Sequence, residues 1–238
     1  MHAFAISILL ASLTQGLSSI AEKTAGMQRL EGFFDLYWDE SSGKLYWEID
    51  QFDREFLYQV SLASGLGSNP VGLDRGQLGS TIILKAVRVG PKVLLLEPNY
   101  KYRAISDNPD EVKAVEDAFA PSVHWGFEAL ASTGTAVLVD ATDFFLRDTH
   151  GAALAMEQAG QGSFTLDRTR SVFYMPRTKN FPKNTEVEVL LTFTNPKPGE
   201  LVESVAASGN AVTMREHHSF VELPSEPFEP RVADPRIG

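Results

Sequence analysis

Histidine is scarce in this chain, five in 238 residues, and two of the five stand together as His217-His218 directly behind Glu216. Imidazole beside carboxylate is the raw material of a zinc site or a proton relay. The surrounding residues, Val212–Leu223, alternate apolar and polar as a strand does, and neighbouring side chains on a strand point to opposite faces. The two imidazoles therefore cannot ligate one ion without a bulge. Ser219, next on the strand, points away from His218, which rules against a serine–histidine pair. No His-Glu-x-x-His occurs in the sequence, so the helical zinc motif with its glutamate base is missing. One histidine is expected to pack inward and the other to face a neighbouring domain.

Asp140, Asp143, Asp148 and His150 bring four further ligand-type side chains into eleven residues. A calcium loop of the EF-hand type needs alternating ligands, a central glycine and a closing glutamate, and this spacing fails that pattern. Asp140 reads as a cap and Asp148 as a turn former. Leu62–Ser80 holds five glycines, but neither the Gly-Lys-Ser/Thr of a P-loop nor a strand–turn–helix with dinucleotide spacing accompanies them. That stretch is expected to be a flexible or substrate-adjacent loop. There is no Gly-x-Ser-x-Gly elbow, and no pair of carboxylates stands out for glycoside hydrolysis. The absence of cysteine excludes disulfides, thiolate metal sites and a cysteine nucleophile together. No residue is assigned a catalytic, cofactor-binding or metal-binding role. Trp38, Trp47, Trp125, Tyr100 and Tyr102 are expected in the core, with a sugar- or peptide-binding face as their other use.

The elements that must position these residues are mostly strands. Phe33–Trp38 and Lys44–Ile49 flank a polar loop ending in Gly43, as in a hairpin. Glu55–Ser61, Thr81–Val89, Lys92–Glu97, Val123–Ala131, Thr135–Val139, Arg170–Met175, Glu186–Thr194 and Val212–Leu223 continue the series. Leu45, Trp47 and Ile49 alternate with Tyr46, Glu48 and Asp50, so one face of that strand is buried. Ile20–Arg29 reads as one or two helical turns. The clearest helix is 109–119, with Asn108 as cap, Pro109 in the first turn, and Val112, Val115 and Phe119 on one face. Hairpin-length connections predict a mainly β fold with minor α content, an antiparallel sheet or sandwich.

A formal net charge of −10 argues against nucleic acid, whose phosphates demand clustered Lys and Arg. The apolar run Ala3–Ala11, followed by small and polar residues, resembles a secretory signal over residues 1–19, so an exported, periplasmic or extracellular protein is expected. No later segment reaches transmembrane length. Four prolines between 224 and 235 read as a rigid connector over 224–238, after a β-rich domain over 20–223.

Ile20-Ala-Glu-Lys-Thr-Ala-Gly26, Gly32-Phe-Phe34, Tyr37-Trp38, Leu73-Asp-Arg-Gly-Gln77, Asp140–Asp148, Phe181–Glu186, His217-His218-Ser219 and Arg231–Gly238 follow one another in an order that resembles a known family. It is similar to the N-terminal domain of unknown function of exported bacterial zinc-dependent metalloproteases. The resemblance implies a metzincin-like catalytic domain beyond the Asp-Pro-Arg-x-Gly signature, on which this sequence ends. Zinc is then expected in that further domain, with no cofactor in this chain. The expected partner is the C-terminal protease domain of the same polypeptide, with peptide substrate as a further one. His217, His218, Arg231, Asp234 and Arg236 are the candidate docking residues. Two other functions compete with this one: a stand-alone extracytoplasmic module that grips a peptide or glycan, and a hydrolase with its site at Asp140–His150.

Overall fold

The structure is a computed structural model that describes residues 17–226, 229 and 236. The expected leader therefore lies outside the described residues up to position 16, as do Arg231 and Asp234.

Strands dominate, as the alternation predicts. In chain order they are β1 (Gln28–Leu30), β2 (Leu36–Asp39), β3 (Lys44–Ile49), β4 (Glu55–Ser64), β5 (Leu78–Val89), β6 (Lys92–Glu97) and β7 (Ser122–Thr133). They continue with β8 (Ala136–Asp140), β9 (Thr165–Leu166), β10 (Val172–Phe173), β11 (Lys179–Phe181), β12 (Asn184–Thr194) and β13 (Ala211–Glu222). Among the described residues five short helices interrupt them: α1 (Ile20–Lys23), α2 (Pro109–Ala118), α3 (Thr142–Phe145), α4 (Ala152–Gln158) and α5 (Glu200–Val205). The strands form one antiparallel sheet that curls until it nearly closes into a barrel. Its order runs β1, β2, β3, β8, β7, β6, β5, β4, β13, β12, β10, and the short β9 and β11 also pair with β12. The two layers expected of a sandwich are opposite walls of this single curved sheet.

Period-two alternation fills the interior. On β3, Leu45, Trp47 and Ile49 point inward and are almost wholly buried; on β13, Val212, Met214, Glu216, His218 and Phe220 do the same. Aromatic rings meet at the centre, with Phe34 at 5.0 Å from Trp47 and Trp47 at 4.9 Å from Phe220, centroid to centroid. Burying such side chains is worth about 1.5–3 kcal/mol each, and their tilted contacts add specificity. A smaller apolar cluster sits outside the wall, where α1 lays Ile20 against Tyr37, Tyr46 and Leu138. Ser19 caps α1 through a reciprocal pair with Glu22, the capping-box arrangement.

Where β1 and β11 face each other the ladder gives way to a seam held by side chains. The Phe33 amide donates to the Phe181 carbonyl at 2.7 Å. Asn180 Nδ2 donates to the Leu30 and Phe34 carbonyls at 2.7 and 2.6 Å, while its Oδ1 accepts from the Thr185 hydroxyl at 2.6 Å.

Ile20–Arg29 opens with one helical turn, within the one or two expected, and β1 begins after Gly26 turns the chain with φ 83°. Two expectations are revised. Phe33 and Phe34 precede β2 as buried loop residues. The Leu62–Ser80 stretch is packed, with Leu66, Val71 and Leu73 buried among core residues and a 3₁₀ turn at Asn69–Val71.

Candidate functional site

The wall of the barrel separates the two histidines. His218 has 0% of its surface exposed and Glu216 2%; both point inward beneath the α3–α4 connection. His218 Nδ1 is 2.8 Å from the Tyr58 hydroxyl, and its ring stacks on Tyr58 at a 14° interplanar angle. Its Nε2 stands 3.4 Å from Glu216 Oε1 without forming a hydrogen bond. Glu216 accepts the backbone amides of Thr149 at 3.2 Å and His150 at 3.1 Å, so the strand carboxylate holds the connection in place. Burial pushes the Glu216 carboxyl up to about 8 and the His218 imidazole down to about 3, with the Arg147 cation adding to the latter. Both groups are neutral at pH 7, the arrangement a low-dielectric interior favours.

The acidic run around them is structural. Asp148 accepts three amides, from Gly151, Ala152 and Ala153 at 2.8–2.9 Å, and so starts α4. Asp140 accepts the Thr142 amide at 3.0 Å at the start of α3 and pairs with Lys44 at 2.8 Å. Asp143 pairs with Arg168 at the surface. His150 is half-buried, and burial holds its imidazole below the ordinary range. Its Nδ1 lies against β5, where a Cβ on Gly79 would come within 3.0 Å. The four residues do not converge on one point, and among the described residues no group of three His, Asp or Glu is placed to hold a metal ion.

His217 belongs to a second network on the outer face of β12 and β13. Strand register sets it opposite Glu188 and sets Ser219 opposite Glu186. His217 Nε2 reaches Glu186 Oε2 at 2.6 Å, and its Nδ1 is 3.4 Å from Glu188 Oε1. Ser219 and Asn184 donate to Glu186 Oε1 at 2.8 and 2.6 Å. Arg215 joins Glu188 at 3.2 Å with its guanidinium over the Tyr174 ring. Burial lowers the His217 imidazole, but the hydrogen bond and charge of Glu186 outweigh it, and the net shift is upward. Glu186 in turn is raised by burial and lowered more by His217, Asn184 and Ser219. This is an imidazolium–carboxylate pair in a half-buried polar patch, chemistry suited to holding a surface in shape or meeting a partner.

The candidate docking residues thus part company. His218 offers no surface, His217 lies on the outer wall, and Arg236 is exposed. Tyr58 and Arg215 carry no motif, and Glu186, Glu188 and Arg147 are not singled out as site residues by the sequence. The alternation Glu186-Val-Glu188-Val189 marks both acids as outward, but only the register across β12 and β13 shows that they meet His217. Of the aromatic candidates, Trp47 is buried and Trp38 and Trp125 pack against the core, whereas Tyr100 and Tyr102 stay exposed beside α2.

The sequence model of a domain of unknown function, DUF5117, matches residues 76–238. The chain belongs to that family. The DUF5117 match runs from the end of the glycine-rich stretch through β5–β13, so it covers Glu216, His218 and the outer His217 network. No curated protein and no solved structure matches the chain. Among the described residues of this DUF5117 protein no helix is long and apolar enough to cross a membrane.

Proposed function

We propose that the chain is the non-catalytic N-terminal region of an exported zinc-dependent metalloprotease, a rigid barrel that supports and orients the protease domain. One observation carries this reading. The residues behind the metalloprotease resemblance, spread over some two hundred positions, meet as framework: Phe34, Trp47's neighbours Phe144 and Phe145, and His218 fill the barrel, while Gly32, Phe181 and Thr185 build its seam. Shared framework around neutral, fully enclosed ionisable groups is what a supporting domain requires; an enzyme would need its acid and base to reach substrate.

The outer patch of His217, Glu186, Glu188 and Arg215 is the face offered to the protease domain, together with Arg231, Asp234 and Arg236. The coding sequence beyond Gly238 tests the proposal directly. It is expected to continue into a helix bearing His-Glu-x-x-His, and a stop codon there would overturn it. In the continuous polypeptide, His217→Ala is expected to reduce protease yield or thermal stability, while the barrel's own unfolding changes little.

A further inference from the structure

Helix α2 has no buried residue, although Val112, Val115 and Phe119 lie along one side of it and its cap and first turn are well formed. An amphipathic helix ordinarily sets such a stripe directly onto the sheet beside it. Here the stripe stands off from the outer face of β5 and β6, and the space between is a cavity of about 450 Å³. Leu96 of β6 lines it from below, and the Tyr102 ring, stacked on Phe119 at 3.9 Å with planes 10° apart, walls it at the side. That volume lies within the ~300–1,000 Å³ of small-ligand sites.

The polar groups at this cavity are unusual for a chain of net charge −10. Lys85 and Arg103 line it against a single acid, Glu116. Among the described residues neither cation forms an ion pair, although acids outnumber bases in the chain by 31 to 21. The Tyr100 hydroxyl, also at the cavity, donates to Glu55, the acid opposite Lys85 on β4. Glu55 keeps its charge there, but it does not line the cavity. An apolar slot with two cations and one acid matches a single negative charge attached to a bulky apolar group, and the acid disfavours polyanions.

We propose that the cavity beneath α2 binds a carboxylate carrying an aromatic or bulky aliphatic group. The apolar part would lie between Leu96 and the Tyr102–Phe119 stack, with the carboxylate beside Lys85 and Arg103. Free organic acids and the carboxyl ends of peptides share this chemistry. The site does not depend on the protease reading, since every residue in it belongs to this chain.

Titration calorimetry on the purified chain tests it with 3-phenylpropionate, 3-phenylpropanol and 3-phenylpropylamine. The acid is expected to bind saturably and about tenfold more tightly than the alcohol or the amine. The double substitution Lys85→Met, Arg103→Met should erase that preference. Val115→Trp, which fills the cavity from a peripheral helix, should weaken binding about tenfold or more without moving the unfolding midpoint of the barrel. A tripeptide ending in phenylalanine and its C-terminal amide separate the two sources. Binding of the peptide acid over its amide assigns the site to peptide ends, and binding of 3-phenylpropionate alone assigns it to free acids. Absence of saturable binding by both acids up to about 10 mM, or equal binding of the amine, would overturn the proposal.

Discussion

His218 and His217 differ by one position in sequence and respond to pH with opposite sign. Inside the wall, His218 stays neutral until near pH 3, while the same residue in the unfolded chain takes its proton near 6.5. Its contribution to stability is therefore present above 6.5 and lost as pH falls from there through its folded value. Glu216, raised to about 8, behaves in the other direction: its contribution is whole below its unfolded value near 4.5 and is lost as pH rises through 8. His218→Phe is expected to cost about 1–3 kcal/mol at pH 7, because the Tyr58 hydroxyl loses its partner. The gap to wild type should narrow at pH 4.5, and denaturant titrations at the two pH values check it; a gap that stays constant contradicts the assignment. His217 is raised by its acidic partners, so its contribution is full below 6.5 and lost as pH rises through the folded value. Glu186 is lowered and needs a pH above its ordinary value near 4.5. The outer pair is then strongest between about 4.5 and 6.5, the unfolded values of the two groups. His217→Gln should cost about 1 kcal/mol near pH 6 and close to nothing at pH 9, as read from the same titrations.

At the scale of elements, the seam shows what sequence patterns convey and what they omit. The hairpins β2–β3 and β5–β6, the helix α2 with its Asn108 cap and the strand carrying His217-His218 are all legible, because alternation, turn residues and caps are local signals. The seam between β1 and β11 is not, since Asn180 and Thr185 lie some 150 residues from the backbone they hold. The packed state of Leu62–Ser80 was hidden for a related reason: Leu66, Val71 and Leu73 have no common period, and Gly65 is required only because a Cβ there would sit 2.2 Å from the Leu73 carbonyl. The outer network of His217 was half visible, its acids facing outward by alternation and its register unknown. Asn180→Ala removes three hydrogen bonds from the seam and is expected to cost about 2–4 kcal/mol, with two carbonyls left short of a donor. A Cβ at Gly32 would lie 2.2 Å from Asn180 Oδ1, so Gly32→Ala should be destabilising as well. Because the clash and the hydrogen bonds share one side chain, the double variant should cost less than the sum of the two. Additive costs in a double-mutant cycle would show that the seam is not joined this way.

Taken as a whole, the molecule places its last described strand inside its sheet, not at an edge. β13 lies between β4 and β12, pairing with β12 from Asn184↔Val221 to Thr194↔Ala211 and with β4 from Phe56↔Glu222 to Ser64↔Arg215. Until it docks, β4 and β12 each present a long unpaired edge, the surface most prone to pairing with other chains. It also delivers Phe220 and His218 to the aromatic interior, where Phe220 contacts Phe34, Trp47 and Tyr58. Closure thus waits on pairings distant in sequence, the kind of topology that folds slowly. A chain ending at Asn210 is therefore expected to lose the cooperative unfolding transition and to aggregate, although it retains most of the strands. Adding a peptide of residues 211–226 should restore the near-ultraviolet signal of the packed aromatic rings, and the same peptide with Phe220→Ala should not, because a Phe→Ala change in a core costs about 3–5 kcal/mol. A folded, monomeric 17–210 chain would mean that the barrel is held without the strand that joins β4 to β12, and the order of the sheet would then need another explanation.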